Sequence, residues 1–265
     1  MGFGCGCSQA LRAARLQFAS YPMDWTGSPG VKASAEMIAN DFAGWLDRDD
    51  LELVDVRRGT GTINRVYANR KTGFIFAHDF HHDSDFDETF ETVAGKYDRR
   101  IKRLMASLGA AKRALAVFVE HPVRERVMDE EVAEARKTLS KKFPGADFDL
   151  IYLHHAAAAS AREPSPGVVI LAAPIMQLEY GLVSHTFDRE PLIRYLVANA
   201  HVADTRGDEE KLRFEETFRD RRERRFGSGG ALARWWTKQQ YRLHRKLETD
   251  LRGKGLLPID RPFWF

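Results

Sequence analysis

The chain has 265 residues, of which 43% are hydrophobic and 30% are charged, with a formal net charge of +3. This size and apolar content allow a complete hydrophobic core without disulfides or a structural metal, so one compact domain is the default expectation. The charged fraction, and the lack of an apolar run near the roughly 20 residues that cross a bilayer, argue against a membrane-spanning protein. No secretory signal is visible before Leu16, so we expect a cytoplasmic protein.

The only cysteines are Cys5 and Cys7. A disulfide between residues two positions apart would be badly strained, and the cytoplasm keeps thiols reduced. Both are therefore predicted to be thiols, whose role is reactivity, metal binding or packing.

The N-terminal region predicts a glycine-rich turn that leads into a helix over residues 8–16, so Cys7 falls near a helix N-terminus. Residues 20–25 form a predicted irregular loop, because Pro22 disfavours helix at the preceding residue. A second helix follows with an apolar face at helical spacing. That face consists of Met37, Ile38, Phe42, Trp45 and Leu46.

The middle of the chain changes to short runs rich in apolar and β-branched residues, which predict a strand and then a hairpin. These runs are Leu51–Val56, Ile63–Ala68 and Phe74–Phe80. The segment Glu88–Leu108 then carries one apolar stripe opposite charged residues, which predicts an amphipathic helix.

A strand, helix and strand pattern comes next, over Ala114–Val119, Asp129–Lys142 and Phe148–Leu153, with a further strand over Val168–Ala172. Continuous apolar runs separated by an amphipathic helix are typical of parallel strands covered on both faces. The predicted fold class is therefore α/β, with a mixed, largely parallel sheet flanked by helices and a helical C-terminal extension.

Two parts of the chain are distinguished by charge. Residues 1–200 are predicted to form the α/β domain, and residues 201–265 a basic helical extension packed on it. Basic side chains concentrate between Lys211 and Lys254. Such a stretch suits an anionic partner such as nucleic acid, glycan or acidic lipid. The interleaved acidic residues favour a solvated helix face as the simpler account.

Cys7 is the candidate nucleophile. The partial positive charge and free N–H groups of a helix N-terminus favour a thiolate, and the same N–H groups are candidate donors to an oxyanion. A buried, unreactive thiol is the alternative, because cysteine is among the most buried residue types.

A nucleophilic thiol needs a base, and residues 78–83 supply the most histidines. In a regular strand His78 shares a face with Phe80, whereas Asp79 lies on the other face and cannot simply stack against His78. Asp24, in the irregular loop, is therefore one candidate for the carboxylate that orients the base, and Asp79 is the second.

Other uses of these side chains stay open. His154 and His155 follow a strand and form a weaker candidate base. Zinc is a competing possibility, although the spacing is unlike that of common structural zinc sites. The ligand types available to it are Cys5, Cys7, His78, His81 and His82. Phosphate-loop, dinucleotide-binding and nucleophile-elbow motifs do not occur, and no cofactor is predicted.

Five short motifs occur in a fixed order between Gly4 and Glu120. They are Gly4-Cys5-Gly6-Cys7, Ser20-Tyr21-Pro22-Met23-Asp24-Trp25, Asn40-Asp41-Phe42, Phe76-Ala77-His78-Asp79-Phe80 and Lys96-Tyr97-Asp98-Arg99-Arg100-Ile101. This ordered set resembles a bacterial family of unknown function labelled "putative papain-like cysteine peptidase". The resemblance implies Cys7 as nucleophile, His78 as general base, and Asp24 or Asp79 as orienting carboxylate. Met23 stands where the family motif has Phe.

The leading prediction for function is thiol-dependent hydrolysis or acyl transfer at an amide, ester or thioester, with an acyl-enzyme on Cys7. The resemblance implies a peptide, a glycan or an acyl conjugate as substrate. One alternative is a non-catalytic binding module for an anionic polymer such as glycan or nucleic acid. Another is a metal-binding protein that uses the cysteine and histidine cluster.

Overall fold

The computed structural model describes residues 1–2, 6–14, 16–17, 19–58, 63–121, 124–177, 185–187 and 190–200. The predicted extension over residues 201–265 lies outside them, as does Cys5. The helices and strands, in chain order, are α1 (Gly6–Ala13), β1 (Thr26–Gly27), α2 (Val31–Ala39), β2 (Leu51–Arg58), β3 (Ile63–Asn69), β4 (Ile75–His81), α3 (Phe86–Ala110), β5 (Arg113–Val119), α4 (Asp129–Lys142), β6 (Asp147–His155), β7 (Ser160–Ser165), β8 (Val168–Ala173), β9 (Ile175–Gln177), β10 (His185–Phe187) and α5 (Glu190–Asn199).

The first four strands form an antiparallel sheet in the order β1-β4-β3-β2. The predicted strand and hairpin are confirmed. The turn between β3 and β4 is built around Asn69, whose Oδ1 accepts hydrogen bonds from Lys71 N and Thr72 N, both at 3.0 Å. Gly73 in this turn has a φ of 74°, a conformation that favours glycine.

A second sheet, which is mixed, has the order β5-β6-β8-β7. The pairs β5–β6 and β6–β8 are parallel, and β7 is antiparallel to β8. β7 was not predicted, because its exposed residues are polar and include Pro164, which edge strands tolerate. The chain is therefore mixed α/β. A largely parallel arrangement is not confirmed, because β2, β3 and β4 are joined by short connections that produce antiparallel pairing, and β1 is antiparallel to β4.

Helices cover both faces of the mixed sheet. Phe118 of β5 belongs to the larger core, together with residues of α2, α3 and α4. Its neighbours Val117 and Val119 belong to a smaller core with residues of α1 and α5. Because β5 is buried on both faces, its sequence is a continuous run of apolar residues and does not alternate.

The helix α2 ends earlier than predicted. Asp41 and Phe42 have φ angles of 53° and 61°, and this left-handed backbone interrupts the helix before Leu46. Phe42 and Trp45 are nevertheless buried, and Trp45 packs on Phe74 with ring centres 4.7 Å apart. Among the helices that the structure describes, none is both long and apolar enough to cross a bilayer.

The first residues of the chain lie along β5. Gly2 forms a parallel bridge with Val119, and Val119 N donates to Met1 O at 3.2 Å. α1 begins shortly afterwards and packs on the sheet face that carries Val117 and Val119. Its N-terminus therefore lies near the carboxyl edge of a parallel sheet, where α/β folds place their ligands.

Candidate active site

Cys7 lies in the first turn of α1, as predicted, with its side chain buried against β5. Its Sγ donates to Val117 O at 3.4 Å and accepts from the Met1 ammonium at 3.4 Å. The same ammonium donates to Val117 O at 2.8 Å. Within the described part of the chain, no histidine is hydrogen-bonded to Sγ. The thiol therefore points at β5 in this conformation.

Burial raises the pKa of the Cys7 thiol, and the Met1 ammonium opposes part of this rise. The charge of Asp24 raises the pKa of the thiol further. The thiol is thus protonated at neutral pH, and the N-terminus of α1 alone does not produce a thiolate. Any reaction at Cys7 has to begin with transfer of this proton to a base.

A chain of hydrogen bonds, the Ser8–Gln17–Asp24 relay, connects α1 to the 20–25 loop. Ser8 Oγ donates to Gln17 Oε1 at 3.0 Å. Gln17 Nε2 donates to Asp24 Oδ2 at 2.6 Å, and Tyr21 N donates to the same oxygen at 2.7 Å. Because Ser8 follows Cys7 directly, the relay fixes the buried carboxylate relative to the turn that carries the thiol.

Asp24 lies in a short 3-10 turn over Pro22–Trp25. Burial raises the pKa of Asp24, whereas the hydrogen bonds from Tyr21 N and Gln17 and the charges of the Met1 ammonium and Arg12 lower it. The Asp24 charge in turn raises the pKa of both Cys7 and Tyr97. The carboxyl group is therefore within electrostatic reach of the thiol and of α3.

Trp25 connects α1 to His78 in β4. The guanidinium carbon of Arg12 lies 5.4 Å from the centre of the Trp25 ring. The imidazole of His78 meets Trp25 edge-on, with ring centres 6.2 Å apart. His78 is exposed, so it can exchange protons with solvent while it contacts the residue next to Asp24.

A bulge in β4 turns His78 outward. Arg65 pairs with Phe80 and Tyr67 pairs with Phe76, so β4 has more residues than β3 over this stretch. The regular alternation that we predicted put His78 and Phe80 on one face, and this is wrong: the structure exposes His78 and buries Phe80. Bulges commonly re-aim a side chain next to an active site.

Asp79 attaches β4 to α3. Its Oδ1 accepts a hydrogen bond from Lys96 Nζ, and its Oδ2 accepts one from Tyr97 OH at 2.6 Å. Burial, and then the charge of Asp79, raise the pKa of Tyr97 well above its ordinary value. Among the described residues, neither Asp79 nor Asp24 is hydrogen-bonded to His78. Asp79 is engaged with α3, whereas Asp24 precedes the tryptophan that contacts the imidazole.

Four of the five sequence motifs thus contribute to one region, formed by α1, the 20–25 loop, β4 and α3. A family model described as "Putative papain-like cysteine peptidase (DUF1796)" matches residues 1–158. The chain belongs to this family. The match includes Cys7, Asp24, His78 and Asp79 and ends just after β6. Neither the curated proteins nor the solved structures contain a match.

The residues that join the motifs of this papain-like family member, namely Ser8, Gln17 and Arg12, were not predicted from the sequence. Their identities carry no signal, because polar residues of this kind are usually solvated on a helix or loop. No role was predicted for Glu120 and His121 either. Here a signal existed, since a polar pair directly after an apolar parallel strand lies where α/β folds place functional groups.

Glu120 and His121 belong to a second buried cluster at the carboxyl end of β5 and β6. Glu120 is 2% exposed and accepts hydrogen bonds from His121 N at 2.8 Å and from Tyr152 OH at 3.2 Å. Arg124 Nη1 lies 3.9 Å from Glu120 Oε1. His154 stacks on Tyr152 with ring centres 6.0 Å apart, and burial lowers the pKa of His154. This cluster holds the segment after β5 against the sheet.

We expect Glu120→Gln to make the protein more stable at neutral pH. Burial raises the pKa of Glu120 in the folded chain. Protonated Glu120 therefore makes its full contribution to the free energy of unfolding below the pKa of the unfolded chain, about 4.3. This contribution is lost as the pH rises through the pKa of Glu120 in the folded chain. The wild type should lose up to about 1.4 kcal/mol of unfolding free energy per pH unit relative to the variant in this window.

Urea unfolding between about pH 4 and pH 8 measures this difference. Glu125→Gln, at an exposed position on the same segment, is the matched control and should follow the wild type. Parallel pH profiles for the wild type and Glu120→Gln would contradict the account of the second cluster.

The metal hypothesis gains no support from the described residues. Among them, no group of three or more His, Cys, Asp or Glu side chains is arranged to hold a metal ion. The basic stretch on which the anionic-polymer hypothesis depends lies outside the described residues.

Proposed function

We propose that the protein is a thiol-dependent hydrolase or acyl transferase, acting at an amide, ester or thioester through an acyl-enzyme on Cys7. The Ser8–Gln17–Asp24 relay carries the proposal, because it ties a buried carboxylate to the helix turn that holds the thiol. Membership of a family named for papain-like cysteine peptidases supports the same chemistry.

In this proposal His78 is the general base and Asp24 is the carboxylate that favours its protonated form. The contact of His78 with Trp25 supports this assignment, because Trp25 follows Asp24 in the chain and its ring also contacts the guanidinium group of Arg12 in α1. Asp79 keeps a structural role, since Lys96 and Tyr97 occupy both of its oxygens. The Cys7 side chain has to rotate from Val117 O towards β4 when substrate binds.

The first chemical step then forms an S–C bond. His78 takes the thiol proton as Sγ attacks the carbonyl carbon, and the carbonyl π electrons move to the oxygen. In this proposal, backbone N–H groups in the first turn of α1 stabilise that oxyanion. The electrons return as the bond to the leaving group breaks, and the imidazolium protonates the leaving group.

This step leaves a thioester on Cys7. Water, or the hydroxyl or amine of an acceptor, attacks the thioester carbon while His78 takes the attacker's proton. Collapse of the second tetrahedral intermediate releases the acid or the acyl-transfer product. The proton then returns from His78 to Sγ, and the resting thiol is restored.

We expect p-nitrophenyl acetate to acetylate Cys7. The test incubates the wild type, Cys5→Ser, Cys7→Ser and His78→Ala with this ester and locates the acetyl group by mass spectrometry. The acetyl group should be on Cys7 in the wild type and in Cys5→Ser. It should be lost in Cys7→Ser and should form at least about 100-fold more slowly in His78→Ala, the usual scale of general base catalysis.

Cys5→Ser is the matched control, because it removes the neighbouring thiol and leaves the proposed nucleophile. Acetylation of Cys5 alone, or p-nitrophenol release that continues unchanged in Cys7→Ser, would overturn the assignment of the nucleophile.

A further inference from the structure

Two arginines from different helices converge on one residue of the 20–25 loop. Arg12 Nη2 of α1 donates to Ser20 Oγ at 3.0 Å. Arg103 Nη1 of α3 donates to Ser20 O at 2.9 Å. Both guanidinium groups are therefore in hydrogen-bond contact with Ser20, in the loop that leads to Asp24.

A third arginine, Arg100, lies one helical turn before Arg103 and so shares its face of α3. Its guanidinium carbon is 5.6 Å from the centre of the Tyr97 ring. Its Nη1 is buried, and no described residue accepts a hydrogen bond from it. A buried donor without an acceptor costs free energy, so an acceptor supplied by a ligand would be favourable here.

The carboxylates near these arginines have hydrogen-bond partners of their own. Asp79 is paired with Lys96, and Asp24 is buried in the relay, where it accepts hydrogen bonds from Gln17 and Tyr21. Neither Arg100 nor Arg103 forms an ion pair with a carboxylate among the described residues. Guanidinium groups are planar forks that match phosphate, sulfate and carboxylate groups, and these pairs are stronger than neutral hydrogen bonds.

We propose that Arg12, Arg100 and Arg103 form an oxyanion-binding site that holds a negatively charged group of the substrate beside Trp25 and His78. The substrate role deepens the proposed function and rests on it, but anion binding itself does not. The site fits a phosphate, a sulfate or a carboxylate. An anionic group held here would set which carbonyl of the substrate approaches α1.

Thermal unfolding of the full chain with added anions tests the site. Inorganic phosphate, inorganic sulfate and citrate are used in separate arms at constant ionic strength, so that general screening is the same in each. An anion that binds the folded chain raises the melting temperature in a saturable way, from which its affinity follows. The arm with the tightest binding distinguishes a phosphoryl, a sulfuryl and a carboxylate ligand.

Arg100→Gln and Arg103→Gln should each weaken this affinity by about tenfold, the scale of one charge-assisted hydrogen bond. Arg99→Gln is the matched control: it removes the same charge from an adjacent, exposed position of α3 and should stay within about twofold of the wild type. Arg100→Lys keeps the positive charge but loses the planar guanidinium group, so its anion affinity should lie between those of Arg100→Gln and the wild type.

Two results would overturn the site. One is the absence of saturable stabilisation by all three anions in the wild type. The other is an equal loss in Arg99→Gln and Arg100→Gln. Neither result depends on thiol chemistry, so anion binding without acetylation of Cys7 would refute the proposed function and leave the site intact. Acetylation of Cys7 without anion binding would refute the anion site and leave the proposed function intact.

Discussion

Asp79→Ala is expected to lower the free energy of unfolding by about 3 kcal/mol, the lower end of the range for breaking a buried ion pair. The change leaves Lys96 Nζ without its carboxylate and the buried Tyr97 hydroxyl without its acceptor. The lower end applies because the Lys96 side chain keeps 29% exposure and water can solvate part of its charge. Urea unfolding followed by circular dichroism measures the loss.

Two further variants separate the contributions. Asp79→Asn keeps an acceptor for Tyr97 but removes the charge, so its loss should be smaller than that of Asp79→Ala. Asp98→Ala, at an exposed position of α3, is the control and should change stability by no more than about 0.5 kcal/mol. If Asp79→Asn slowed acetylation of Cys7 strongly while leaving stability unchanged, Asp79 and not Asp24 would be the orienting carboxylate.

Alkylation of Cys7 by iodoacetamide is expected to be about tenfold or more slower in the folded protein than in urea, at about pH 7.5. Burial raises the pKa of the thiol, so the folded chain holds a smaller fraction of thiolate, and it also shields Sγ from the reagent. The experiment uses Cys5→Ser, so that Cys7 is the only thiol.

The pH dependence of this rate distinguishes two resting states. A protonated thiol predicts a rate that still rises above about pH 8.5, the ordinary cysteine range. A rate that is already at its plateau below about pH 7 would mean a thiolate paired with an imidazolium, and the resting state described for Cys7 would be wrong. The double variant Cys5→Ser/Cys7→Ser supplies the blank.

The parts of the fold with strong periodicity were predictable from sequence. The helix α4 has the predicted boundaries, and the predicted helix over Glu88–Leu108 lies within α3. β7 was missed because an exposed, polar edge strand has no apolar pattern to detect. The pairing of β1 with β4 was also missed, since a two-residue strand is defined by its partner and not by its own residues.

The candidate site was predictable only as separate pieces. A glycine-rich turn before a helix placed Cys7 correctly in the first turn of α1. The exposure of His78 depends on a bulge, which is set by pairing between β3 and β4 and leaves no local signal. The partners of Asp79 and Asp24 are long-range or cross-element contacts, so their division of roles required coordinates.

The most direct test of the account is the pH dependence of the rate constant for acetylation of Cys7 by p-nitrophenyl acetate, in Cys5→Ser with and without His78→Ala. If His78 takes the proton from a protonated thiol, the rate rises with deprotonation of His78, at a pH below that at which the thiol itself ionises, and this limb disappears in His78→Ala. The residual rate in His78→Ala should then rise only with ionisation of the thiol itself, at higher pH. Superimposable profiles for the two proteins would contradict the assignment of His78 as the base.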